Sequence, residues 1–167
     1  MTRTTPATVD HPLASGATTK TRWVRRAFLA GAWLTGLTGL CHLAFAHIPF
    51  VLRTPLPSMA AVLESMKLIP STMSGVKSSL YTAYLGNSLL VGLLSMAFSG
   101  TCLLVARLVR RHGLEVPRSV AFVGFLISGA SAVTALLYYP PPPLVTMSLA
   151  SLCFLLATVL PRPANGA

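Results

Sequence analysis

Along this chain the apolar residues gather into four long stretches, and the polar residues collect between them. The stretches run from about Ala27 to Ile48, Leu80 to Ala106, Ser119 to Tyr139 and Pro143 to Leu160, and none contains a Lys, Arg, Asp or Glu. A transmembrane helix needs about 20 mostly apolar residues to cross a hydrocarbon core roughly 30 Å thick. The pattern therefore predicts an all-α protein, a four-transmembrane-helix bundle. The last stretch is the shortest and opens on a proline, which the first turn of a helix accepts because its N–H is unused there.

The first connection, Pro49 to Ser79, is long enough to hold structure of its own. Within it Ser58 to Leu68 reads as a short amphipathic helix in the first outer loop, with Ser58 as its cap and Met59, Val62, Leu63 and Met66 at helical spacing. Glu64 and Lys67, three apart, are placed to pair on its wet face. Residues 1–19 are rich in Thr, Ala and Pro without apolar periodicity and read as a disordered cytoplasmic tail. The membrane domain then covers 20–162, and 163–167 form a second short tail.

Composition agrees with a bilayer as solvent. Of 167 residues, 53% are hydrophobic and 10% charged, against about 25% charged in soluble domains. The net charge of +10 would suit a nucleic-acid partner, but the basic residues flank apolar runs, where membrane topology places them. No nucleic acid is expected. Lys20, Arg22, Arg25 and Arg26 precede the first span, Arg107, Arg110, Arg111 and Arg118 separate the second from the third, and Arg162 follows the fourth. The short Pro-rich turn after Tyr139 has no charge, and the first connection has Arg53, Lys67 and Lys77 against Glu64. Lys and Arg concentrate on the cytoplasmic side, so both termini are expected inside. Trp23, Tyr138 and Tyr139 suit aromatic anchors at the two interfaces.

Arg25-Arg26-Ala27-Phe28-Leu29 has a twin-arginine form and Ala44-Phe45-Ala46 a small-x-small cleavage form. A secretory apolar region is about 7 to 15 residues, shorter than this segment, so the segment is expected to remain a span. Cys41, Cys102 and Cys153 lie singly in three spans, without metal or disulfide spacing, and read as small core residues.

Small residues four apart mark helix seams in lipid, and Ala32/Gly36, Thr35/Gly39 and Gly124/Ser128/Ala132 have that spacing. Depth singles out candidate functional residues. His42 lies six residues before the outer end of the first span and Asn87 seven after the outer start of the second, so at about 1.5 Å per residue they share a level. With Tyr84 they form a candidate pocket: His42, Tyr84 and Asn87. Thr134, Ser131, Thr146 and Ser148 approach the same level, and Thr35, Thr38 and His42 share one face. The polar groups either bond helix to helix or line a small-ligand pocket, and the sequence leaves both open.

Chemistry is missing elsewhere. The carboxylates Asp10, Glu64 and Glu115 all lie outside the spans, so the intramembrane acids of proton relays and ion-coupled carriers are lacking. There is no H-E-x-x-H or G-x-S-x-G motif, and His11, His47 and His112 are not placed to pair with His42 on a haem. No metal and no cofactor are expected. The functions that remain are a small-molecule or lipid binder or an accessory subunit. The alternatives are a membrane enzyme acting on an apolar substrate through His42, or a small transporter subunit. Expected partners are the lipid bilayer and, with both left open, a second copy of the chain or a membrane partner subunit.

Met66, Met73-Ser74-Gly75, Ser79-Leu80-Tyr81, Tyr84 and Gly86, with Gly39-Leu40-Cys41-His42 in the first span, resemble a pattern in uncharacterised small bacterial four-span membrane proteins. That group is distantly similar to DoxX-like and sterol-isomerase-like four-helix bundles. Tyr81 stands where the pattern has Trp, and Thr82 where it has Asp. The resemblance implies a four-helix architecture in a bacterial inner membrane. It implies no activity, because the sterol isomerases use acidic residues in their spans.

Cysteine-accessibility labelling tests the topology: position 112 should react from the cytoplasmic side, and positions 60 and 141 from the other. Labelling of position 112 from outside would invert the bundle.

Overall fold

The computed structural model describes residues 15–52, 56–73, 76–138 and 141–161. Its helices are α1 (Ser15–Cys41), α2 (Ile48–Leu52), α3 (Pro57–Leu68), α4 (Leu80–Arg111), α5 (Arg118–Tyr138) and α6 (Pro141–Val159). A π-helical turn, His42–His47, joins α1 to α2 without a break. Four helical segments are long and apolar enough to cross a membrane: Arg22–Leu52, Leu80–Arg111, Arg118–Leu137 and Pro141–Val159. Only 22% of the second span's apolar window is buried within the protein. Leu90, Leu94, Leu104, Leu136, Leu152 and Val159 face outward, which requires hydrocarbon around them. The chain is thus a multi-pass membrane protein.

Several boundaries depart from the sequence pattern. The expected tail falls mostly outside the described residues, and α1 opens at Ser15. The last span starts two residues early, at Pro141, because three successive prolines cost little in a first turn, where no N–H is yet needed. In α3 the position before the helix is Leu56 and Pro57 opens the first turn, so Ser58 lies inside the helix and is not its cap. Glu64 and Lys67 do pair, Oε1 to Nζ, at 2.7 Å. That bond raises the Lys67 pKa from its ordinary value. Leu63 and Met66 are half-buried, while Met59 and Val62 remain exposed beside the spans, as suits a helix at an interface.

After α3 comes an antiparallel hairpin, β1 (Pro70–Met73) and β2 (Val76–Ser79), in which Pro70 faces Ser79 and Met73 faces Val76. The Leu80 N–H donates to the Ile69 carbonyl at 2.9 Å and closes it. Ser79 then caps α4 by accepting from the Thr82 N–H at 3.2 Å. The far end of α4 stops in a Schellman arrangement. Gly113, at φ 65°, turns the chain, Leu114 N–H donates to the Val109 carbonyl at 2.8 Å and Gly113 N–H to that of Arg110 at 3.3 Å.

In the bundle α1 packs on α4 and α6, and α5 packs on α6. Phe154 of α6 is fully buried at the centre. Phe28 meets it edge-on with ring centroids 5.5 Å apart, and Phe98 does so at 6.2 Å. Gly31 of α1 and Gly124 of α5 leave the room for this ring, since a Cβ on Gly124 would come within 2.7 Å of it. Val24, Ala32, Cys102, Ala106, Val116, Ala121 and Ala157 complete the core.

Phe154→Ala should lower unfolding stability in detergent by about 3 kcal/mol, the low end for a buried Phe, because in lipid chiefly the packing part of the loss remains. Phe122→Ala, removing a ring that already faces outward, should change it little. Equal losses would contradict a core centred on Phe154.

Candidate functional site

Pro49 decides the shape of the first span near its end. A proline inside a helix has no N–H to give, and its ring collides with the carbonyl four residues back, here that of Phe45. The turn ahead of it widens: the Ile48 N–H bonds to the carbonyl of Leu43, five residues back. In an ordinary α-helix two side chains five apart diverge by about 140°. The π turn brings His42 and His47 onto one side, and both reach α4 at the same residue.

That residue is Ser88. His42 Nε2 lies 3.1 Å from both the Ser88 carbonyl and its Oγ, and His47 Nδ1 lies 3.3 Å from the same Oγ. A carbonyl can only accept, so with both imidazoles neutral the His42 Nε2–H donates to Ser88. The Ser88 hydroxyl is then free to donate to His47 Nδ1, which puts the His47 proton on Nε2 as well, so both rings are the same tautomer acting in opposite roles. Other helical Ser and Thr side chains, Thr35, Ser95, Thr101, Ser128, Ser131 and Thr134 among them, donate back to the carbonyl four residues earlier. Ser88 is buried and turned across the seam instead.

The three residues singled out by depth part company here. His42 is half-buried in the clasp. Tyr84 is exposed and packs on Phe50 with ring centroids 5.3 Å apart, and Tyr81 stacks on the same ring at 6.1 Å. Asn87 is exposed. Depth counting identified the right level on α4 but not the right azimuth: Ser88 follows Asn87 by about 100° of rotation, and it is the one facing α1. His47 was legible only through the joint spacing of two histidines and Pro49. Further along, Thr38 donates to Thr146 of α6 at 2.9 Å, and Thr146 donates to the Pro142 carbonyl at 3.1 Å. Among the described residues no three His, Cys, Asp or Glu side chains gather to hold a metal.

A second feature lies between α4 and α5. Although a short turn joins these helices, they do not pack closely. Phe98, Thr101, Cys102 and Val105 face Ser119, Val120 and Val123 across a groove with a volume of about 320 Å³. The Thr101 hydroxyl is committed to the Ala97 carbonyl at 2.9 Å, so the α4 wall is apolar in effect.

Comparison with known proteins returns no matching family model, no matching curated sequence and no matching solved structure. The geometry of the chain alone carries the functional reading.

Ser88→Ala should lower stability in detergent by about 0.6 to 2 kcal/mol, the worth of an interhelical polar contact in lipid, and Asn87→Leu should leave it unchanged. Were the two substitutions to behave alike, the clasp would not be holding the helices.

Proposed function

We propose that this chain is a non-enzymatic lipid binder of a bacterial inner (plasma) membrane, with both termini cytoplasmic and the α4–α5 groove as the seat of an apolar chain. The groove carries the reading. An apolar cleft open to the bilayer cannot stay empty, because its walls would forfeit dispersion contacts, and the molecule at hand is a lipid tail. Its walls are shaped for a chain rather than a polar head. Orientation follows from the basic flanks: Arg22 and Arg25 at the start of α1 line one crevice with Arg110 at the end of α4. These flanks share one end of the bundle, and the positive-inside tendency gives that end to the cytoplasm.

A membrane enzyme acting on an apolar substrate has one observation in its favour, the Ser88 hydroxyl between two imidazoles. A nucleophile activated in this way sits at about 2.6 to 3.2 Å from its base; His42 Nε2, 3.1 Å from the hydroxyl, is equally close to the Ser88 carbonyl and so carries the proton there, and the accepting His47 stands at 3.3 Å. The clasp reading suits it better.

Native mass spectrometry of gently solubilised protein should show a retained bilayer lipid. Val123→Trp, which fills the groove, should remove that lipid while leaving thermal stability intact. A chain that carries no lipid, or a variant that retains it fully, would sink the reading.

A further inference from the structure

At the basic end, on the α1 side of α4 and apart from the groove, lies a small crevice. Arg22, Arg25 and Arg110 line its rim with Glu115, over a floor of Val24, Val109, Leu114 and Val116. Its volume is about 70 Å³, several times the roughly 15 Å³ that one water requires. Arg25 Nε is buried and has no hydrogen-bond partner among the described residues. A buried donor left unpaired is unfavourable, and a guanidinium donor more so.

We infer that this crevice is a binding site for a phosphate group. Three guanidiniums face one carboxylate, Glu115, which is itself engaged within the protein. An anion completes the set better than water does, because several phosphate oxygens can accept from the guanidinium N–H groups of the neighbouring forks at once. The apolar floor strengthens the attraction by holding solvent back on one side. The turn that builds the site is rigid: Gly113 and the two bonds of the Schellman arrangement set Leu114 and the residues after it beside α1. These residues flank the spans, the level at which a bilayer presents its own phosphates. A lipid headgroup and a free phosphate from solution present the same chemistry to the site.

Arg26 provides the control. It lies next in sequence but stacks over the Trp23 ring at 5.5 Å, outside the crevice. The full chain in detergent is titrated with phosphatidylglycerol, phosphatidylcholine and inorganic phosphate, and bound species are counted by native mass spectrometry. Phosphatidylglycerol should bind more tightly than phosphatidylcholine, and R22A, R25Q and R110A should each weaken it by about fivefold, the effect of one basic residue at a membrane surface. R26A should leave it unchanged. Because R22A and R110A alter exposed side chains, they test the site even where R25Q perturbs folding. Inorganic phosphate that competes and is lost in the same variants would identify a soluble phosphate as the ligand. Failure to compete, with phosphatidylglycerol retained, would identify the lipid headgroup. Equal losses in R26A and R25Q, or undiminished binding in all three crevice variants, would overturn the inference. The Val123→Trp variant, on α5 in the groove and not among the residues that line the crevice, should keep this site, so its failure and that of the groove are separable.

Discussion

Inside a bilayer no water is present to receive a hydrogen bond, and every polar group in the spans must find its partner within the protein. That constraint shapes this molecule more than any single contact. Most hydroxyls meet it locally, by donating to a carbonyl one turn back in their own helix. A hydroxyl spent in this way has no proton left to give to a neighbouring helix. Among the described residues helices are tied where a hydroxyl reaches across: Ser99 donates to the Ala32 carbonyl of α1 at 2.8 Å, Ser151 of α6 donates to the Phe125 carbonyl of α5 at 3.4 Å, Thr38 meets Thr146 of α6, and Ser88 meets the two histidines. Three of these four ties involve α1, the helix around which α4 and α6 are arranged.

The same constraint explains why a proline near the end of α1 has consequences beyond its own turn. Pro49 leaves a carbonyl without its usual donor, and the chain answers by widening the preceding turn. The widened turn rotates His47 into line with His42. One backbone adjustment thus places both imidazoles on a single hydroxyl, one turn from Gly92, whose missing side chain leaves room for Leu43 of the widened turn.

Apolar length and charge placement were enough to read the four spans, the basic end and the short helix between the first two spans, because these follow from transfer free energies summed over many residues. The hairpin Pro70–Ser79 was not legible. Its strands are four residues each, without alternation of apolar positions, and pair mainly through their backbones. At the candidate site, His42 and its depth were accessible, since depth needs only a count along the helix. Azimuth was not. It depends on which face turns toward α1, and a π turn whose existence is decided by Pro49 changes that count by itself. Tyr84 illustrates the cost, for its ring is satisfied by Phe50 and not by the clasp.

Why α4 and α5 stay apart follows from where the glycines fall. Gly39 meets the Gly92 carbonyl, which a Cβ would approach to 2.8 Å, and Gly36 meets Ser99, so α1 and α4 close on one another. Gly31 and Gly124 close on Phe154, drawing α1, α5 and α6 together. In lipid, helices associate by close packing and not by escape from water, so a seam without small residues gains little by closing. The facing rows of α4 and α5 carry Thr101, Cys102 and Ser119 but also the bulkier Phe98, Val105, Val120 and Val123, and no described glycine of either helix meets the other across them. Gly100 of α4 has open space where its Cβ would be, so it draws no neighbour in. A short turn tethers the two helices at one end, but Phe154 holds α5 against α6 and α1 holds α4 on the other side. The groove is what remains when three well-packed seams, α1 with α4, α1 with α6 and α5 with α6, claim the four helices.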